Sequence, residues 1–234
     1  MALLGSLVNA AAIVLGGAIG LLLKKGLPER IADALMKGNG LVVLYIGLSG
    51  ALKGQNVLVA VLAIAIGGAL GAWIDIDRGV TVLGDKAQRL FVRGEDGTKS
   101  TFAEGFVSAT LLFCVGAMAV VGALQSGLSH DHGTLYAKAL IDGITAMIFA
   151  ASLGAGVLLS AVPILLYQGT IALLAGLIAP LLTDTIIAEM TCAGSLIIVG
   201  ISLNMLGVCK IKVANYLPAI FLPLGLVPLM GLIG

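Results

Sequence analysis

Long apolar runs separated by short polar connections dominate the chain. A helix needs about 20 residues to cross a bilayer core. Runs of that kind fall at roughly 3–23, 39–54, 56–75, 105–125, 138–159, 161–180, 190–209 and 215–233. The pattern predicts an all-α, polytopic transmembrane helix bundle of about eight spans. The second run has only a short apolar core, Leu41 to Leu52, and the fifth meets the sixth through Ser160, Ala161, Val162 and Pro163 with no charge to mark the turn. Pro218, Pro223 and Pro228 remove three backbone donors from the last run. Spans two and eight are therefore where discontinuous helices are expected.

Two polar connections carry amphipathic segments. Pro28 to Lys37 starts on a proline suited to a first helical turn and stops at Gly38, with Ile31, Ala34 and Leu35 on one face. Leu83 to Arg93 sets Leu83, Ala87, Leu90 and Phe91 against Lys86, Arg89 and Arg93. Both are expected to lie in the headgroup plane as surface helices.

Charge orients the spans. Lys24, Lys25, Arg30 and Lys37 follow span one; Arg78, Lys86, Arg89, Arg93 and Lys99 follow span three; Lys210 and Lys212 follow span seven. With both termini outside, these 11 cations are cytoplasmic, and of the 13 in the chain only Lys53 and Lys138 fall outside. The expected location is the cytoplasmic membrane. Met1 to Ala12 has no Lys or Arg, so it is expected to remain as the first span and not to act as a signal peptide.

Composition sharpens this picture. Of 234 residues, 59% are hydrophobic and 11% charged, and mean hydropathy is +1.14, whereas soluble domains carry about 25% charged residues. A net charge of +1 supplies no basic surface for nucleic acid. The 33 glycines suit close helix packing in lipid. They also suit a homo-oligomer, beside the lipid bilayer, as a partner. Cys114, Cys192 and Cys209 show no metal spacing and are expected to be buried small apolar groups.

The chain repeats itself. Residues Ile13 to Gly20 match Ile64 to Gly71 without a gap, each with a Gly-x-x-x-Gly pair (Gly16 and Gly20, Gly67 and Gly71) expected to serve packing. Ala175 to Ile178 is a weaker third copy. Following spans carry a central glycine at Gly47, Gly116 and Gly200. Repeat units of about 3–54, 56–159 and 161–233 follow, within a single transmembrane domain over 1–234. Orientation makes the third copy inverted, and its connection, with Asp184 and Glu189, is acidic where the first two are basic. Spans three to five and six to eight are thus expected to be halves of opposite orientation, a plan that recurs in secondary transporters.

Polar groups inside apolar runs are the candidate site. Thr191, Ser195 and Ser202 share a face of span seven, and Asn204 lies on another. Span five carries Asp142, Thr145 and Ser152. Asn204, Ser202, Ser195, Thr191, Ser152 and Thr145 are taken as the substrate path and Asp142 as the coupling-ion group, since ionisable groups in membranes mark ion pathways. Glu104 and Glu189, at span ends, are gate candidates. Hydroxyls also bond back to their own helix, and acids also favour helix N-termini, so each residue has a purely structural alternative. His130 and His132 make too few ligands for zinc, so no metal is expected. No Walker A sequence, H-E-x-x-H or nucleophile elbow occurs, and no span holds a histidine; neither an enzyme nor a cofactor is expected.

The Gly-Gly helix, the Pro28 to Lys37 segment running into Gly38-Asn39-Gly40 and Leu44-Tyr45-Ile46-Gly47, and Gly200-Ile201-Ser202-Leu203-Asn204 form an ordered set. Over nearly the whole chain it resembles the bacterial integral membrane family catalogued as domain-of-unknown-function 554. The resemblance implies an inner-membrane protein of seven or eight spans and assigns no site residues.

The leading expectation is secondary transport of a small solute, driven by a proton or sodium gradient. A channel and a non-transporting scaffold or signalling protein are the rival readings. A channel would need a continuous polar pore, for which the chain offers few charges.

Overall fold

The computed structural model describes residues 1–24, 29–79, 82 and 99–231. Helices α1 (Leu4–Lys24), α2 (Glu29–Ala51) and α3 (Val57–Ile74) come first. Then follow α4 (Lys99–Cys114), α5 (Ala117–Leu128), α6 (Gly133–Leu153), α7 (Gly156–Leu159) and α8 (Ala161–Leu173). The short α9 (Ala175–Ile178) leads through a 3₁₀ turn to α10 (Asp184–Met205), and a 3₁₀ stretch, Val213–Ile220, precedes α11 (Pro223–Gly231). No strand occurs among the described residues.

Among the described residues, five helical stretches are long and apolar enough to cross a membrane: Leu4–Leu23, Val57–Ile74, Gly133–Leu153, Gly156–Leu173 and Asp184–Met205. The number rises to seven if two bent pairs each count as one span. These pairs are α4 with α5, bent by 61°, and Val213–Ile220 with α11, bent by 44°. Their outer surfaces are apolar. Only 22% of α3 is buried, and Trp73, Leu140 and Leu177 stand open. A fold that leaves so much apolar surface outward has lipid as its solvent.

Three helix pairings build the bundle, and glycines set each. On α1, a Cβ at Gly16 would overlap the carbonyl oxygen of Gly143, and one at Gly20 that of Met147, so α1 lies close along α6 and parallel to it. On α3, a Cβ at Gly67 would run into the backbone of Ala219 and one at Gly71 into the carbonyl of Asn215, so α3 lies antiparallel to the 3₁₀ stretch. Both Gly-x-x-x-Gly pairs thus serve packing, as expected. Helix α2 runs antiparallel to α10, with Gly40 against Met205 and Leu206, Gly47 against Val199 and Gly54 against Cys192. The faces at Gly16, Gly20, Gly67 and Gly71 are filled within one chain. One apolar core, with Ile13, Val43, Phe113, Phe149, Ile164 and Ile198, joins α1, α2, α4, α6, α8 and α10.

The structure corrects several expectations. Residues 29–51 form one helix, so the surface segment and span two are continuous. The glycines there do not stop the helix, because Gly40 serves the contact with α10. The fourth span is broken instead: Gly116, at φ +118°, separates α4 from α5. Helix α6 begins at Gly133, five residues earlier than expected, which puts Lys138 inside the helix and not in an outer connection. Gly154, at φ +88°, makes the uncharged turn after it. Helix α10 spans Asp184–Met205, not 190–209. The weak third repeat, Ala175–Ile178, lies past the end of the sixth span in a single-turn helix. The last apolar run, expected as span eight, is interrupted between Ile220 and Pro223, as its prolines imply. The second amphipathic segment, at 83–93, lies outside the described residues.

Candidate functional site

Lys138 and Asp142 lie four residues apart on α6 and therefore share a face. The Lys138 Nζ is 2.9 Å from Asp142 Oδ1 and 2.8 Å from Oδ2. Asn9 of α1 donates its Nδ2–H to Asp142 Oδ2 at 3.0 Å and to Gln168 Oε1 of α8 at 3.2 Å. All four are buried: Asn9 and Gln168 are 0% exposed, Asp142 3% and Lys138 6%. Three helices thus converge on one ion pair. The close approach of α1 to α6 at Gly16, Gly20 and Gly143 brings Asn9 within reach. The cluster is incompletely paired, because Asn9 Oδ1 and Gln168 Nε2 are buried with no partner; Ser6 Oγ, three residues before Asn9 on α1, is buried and unpartnered as well.

The hydroxyl face of α10 sits elsewhere, against α2. Ser202 Oγ donates to the Gly40 carbonyl at 2.7 Å, a Cβ on Gly50 would overlap Ser195 Oγ, and Thr191 Oγ1 donates back to the Ile187 carbonyl at 2.7 Å. Thr145 and Ser152 likewise bond back along α6, to Ile141 at 2.8 Å and Ile148 at 3.2 Å. Asp142 therefore belongs to the α1–α6–α8 junction, and Thr191, Ser195 and Ser202 to the α2–α10 junction.

Asn204 is the penultimate residue of α10, so it is not deep in the run. Its Nδ2 donates to the Ile211 carbonyl at 2.7 Å and its Oδ1 accepts from the Ile211 N–H at 2.8 Å. A cavity of about 560 Å³ opens beside it, lined also by Asp77, Glu104, Lys210 and Lys212. The structure thus brings Glu104 and Asn204 together. Glu189 lies 15 residues before Asn204 on α10, about 22 Å away along the axis. It is 0% exposed, and its Oε1 accepts from the N–H groups of Gln55 at 2.6 Å and Asn56 at 2.7 Å, while Oε2 has no partner. It therefore caps α3, not its own helix.

His132 Nδ1 is bonded to Ser126 Oγ at 2.8 Å, and Ser126 donates to the Ala2 carbonyl at 2.7 Å. Among the described residues no three His, Cys, Asp or Glu side chains gather as a metal site.

Sequence reasoning missed Ser6, Asn9, Lys138 and Gln168. A signal existed for the pair: Lys138 and Asp142 at a step of four become an intrahelical ion pair once α6 starts at Gly133. Asn9 and Gln168 stand alone in their spans, and no periodicity links a single amide in one helix to a single amide in another.

The chain is 36% identical over 224 residues to the uncharacterized protein YqgA of Escherichia coli K12, covering 95% of each. It is 29% identical over 223 residues to the uncharacterized membrane protein YdfK of Bacillus subtilis 168, covering 94% of this chain and 93% of that one. No solved structure matches. A sequence model of the family described as "Protein of unknown function (DUF554)" matches residues 4–227, and with its apolar helices and a membrane protein among its relatives, the chain belongs to that family.

Proposed function

We propose that this protein is a small secondary transporter of the cytoplasmic membrane, moving an unidentified small solute against its gradient with a proton or sodium gradient as the driving force. The observation that carries this reading is the Lys138–Asp142 pair, buried with Asn9 and Gln168 where three apolar helices meet. Charges inside a membrane are costly, and an apolar pair of similar size would hold the helices together at least as well. Their use points to a task that needs charge.

Two further features favour a carrier. The bent pairs α4–α5 and Val213–Ile220 with α11 are interrupted inside apolar stretches, where transporters expose backbone groups to a ligand. The polar cavity beside Asn204 offers an aqueous entry lined by both signs of charge. In this reading the single domain crosses eight times, with each bent pair as one crossing and α2 as the eighth, and both termini outside. The helix-pair repeats would supply the two faces between which access alternates. No chemical step is assigned to the protein.

The test is flux in proteoliposomes under an imposed proton or sodium gradient, with amino acids, carboxylates, nucleobases and sugars as the panel. Concentrative, saturable uptake that is lost in Asp142→Asn supports the carrier. Flux linear in solute concentration and indifferent to either gradient makes the protein a channel. A folded protein that moves nothing in the panel shifts the weight to a scaffold.

A further inference from the structure

The chemistry of the buried cluster selects between the two coupling ions. Both oxygens of Asp142 are already engaged, by the Lys138 ammonium and the Asn9 amide. A sodium ion there would face an ammonium and an amide N–H where it needs oxygen ligands. Beside the pair the atoms without a partner are an acceptor (Asn9 Oδ1) and a donor (Gln168 Nε2), and one turn back on α1 the Ser6 hydroxyl, which is both, is likewise unpartnered, all on residues 0% exposed. Ser6 precedes Asn9 by three residues and so shares its face of α1. A cation is bound by acceptors alone, whereas water both donates and accepts. This donor set complements water.

We propose that the cluster of Ser6, Asn9, Lys138, Asp142 and Gln168 is the proton-binding site of the protein, wetted through Ser6, Asn9 and Gln168, and that it does not bind sodium. The proposal rests on the transport reading above. In the step, a proton delivered by water adds to a carboxylate oxygen of Asp142, giving the carboxylic acid, while Lys138 remains an ammonium. The cluster goes from net zero to +1, and release is the reverse. A net charge is far costlier in a dry junction than a neutral pair, so proton uptake goes with admission of water between α1 and α6. That coupling is what an alternating carrier requires.

Few other titratable groups face the pair. Among the described residues, α1 brings none, α8 brings Tyr167, α4 brings Cys114 and α5 none, while at the start of α6 itself His132 is bonded to Ser126 and Tyr136 precedes Lys138 by two. Along the apolar half of α2 the one such residue is Tyr45, which is 73% exposed.

The experiment is infrared difference spectroscopy of the wild type in lipid vesicles through an acid titration, with a parallel thermal-unfolding series in sodium and potassium chloride. A carboxylic-acid C=O band, lowered by hydrogen bonds to the admitted water, is expected. It should shift on isotopic labelling of aspartate carboxyl carbons, vanish in Asp142→Asn and move in Asp142→Glu. Labelling of the wild type keeps the test valid if a variant fails to fold. Sodium should stabilise no more than potassium. Absence of the band in folded wild type, or a sodium-specific stabilisation lost in Asp142→Asn, overturns the proposal. Solute flux is scored separately in the same vesicles. Flux driven by sodium alone overturns the proton assignment and leaves the carrier standing, whereas a titrating Asp142 without any flux removes the carrier and leaves the proton site.

Discussion

The hydroxyl of Ser202 donates to the main-chain carbonyl of Gly40 at 2.7 Å, tying α10 to α2 where a glycine lets the two backbones approach. Ser202→Ala is expected to cost about 1 kcal/mol, since interhelical hydrogen bonds in membranes are individually modest. Gly50→Val is expected to cost more, about 1–3 kcal/mol, because the new side chain meets Ser195 Oγ. Thermal unfolding in detergent measures both. If Ser202→Ala leaves stability untouched and abolishes flux, Ser202 lines a path and does not merely pack.

The Lys138–Asp142 pair makes a sharper prediction. Removing one partner leaves a buried charge without its counterion, so Lys138→Met and Asp142→Leu are each expected to destabilise by about 3–5 kcal/mol. The double variant is expected to recover most of that loss, because two apolar side chains replace two desolvated ions. A double-mutant cycle read by unfolding isolates the coupling. Additive losses would mean that the two residues do not act as a pair. Flux should stay absent in the recovered double variant, which separates the role in function from the role in folding.

What was legible in the sequence follows from the range of the signals involved. Apolar runs and Gly-x-x-x-Gly pairs are local, and they located α1, α3 and the packing faces at Gly16, Gly20, Gly67 and Gly71. The continuity of α2 was not legible, because Gly38-Asn39-Gly40 has the composition of a helix stop. Only the contact of Gly40 with Met205 and Leu206, more than 160 residues away, reveals another use. The break at Gly116 was hidden for the opposite reason: a glycine in a membrane run reads as packing until its φ of +118° is known. Asp142 was found as a lone intramembrane acid. Its partner Asn9 lies 133 positions away, and Gln168 lies 159 from the Asn9 it bonds, beyond any periodicity.

Glu189 holds the start of α3. Its Oε1 accepts two N–H groups that the helix itself leaves unpaired. Glu189→Ala is expected to cost about 1–3 kcal/mol, and Glu189→Gln, which keeps a carbonyl acceptor but loses the charge beside the positive helix end, clearly less. Amide exchange at Gln55 and Asn56 should accelerate in the alanine variant. Unchanged exchange there would show that the carboxylate does not protect those groups, and would leave Glu189 free for a gating role.

Asn204 imitates a strand partner for Ile211, giving one hydrogen bond and taking one from the same residue. It fixes the turn over residues 206–212 that walls the polar cavity holding Glu104, Lys210 and Lys212. Asn204→Ala loses both bonds and is expected to cost about 1–2 kcal/mol. Asn204→Asp keeps the acceptor for the Ile211 N–H but cannot donate to its carbonyl while ionised. Hydrogen exchange at Ile211 should therefore quicken strongly in the alanine variant and little in the aspartate one. If exchange quickens equally in both, the turn depends on the amide N–H and not on the acceptor. If neither changes, the turn is held by other contacts, and a loss of flux in Asn204→Ala would then report contact with the solute itself.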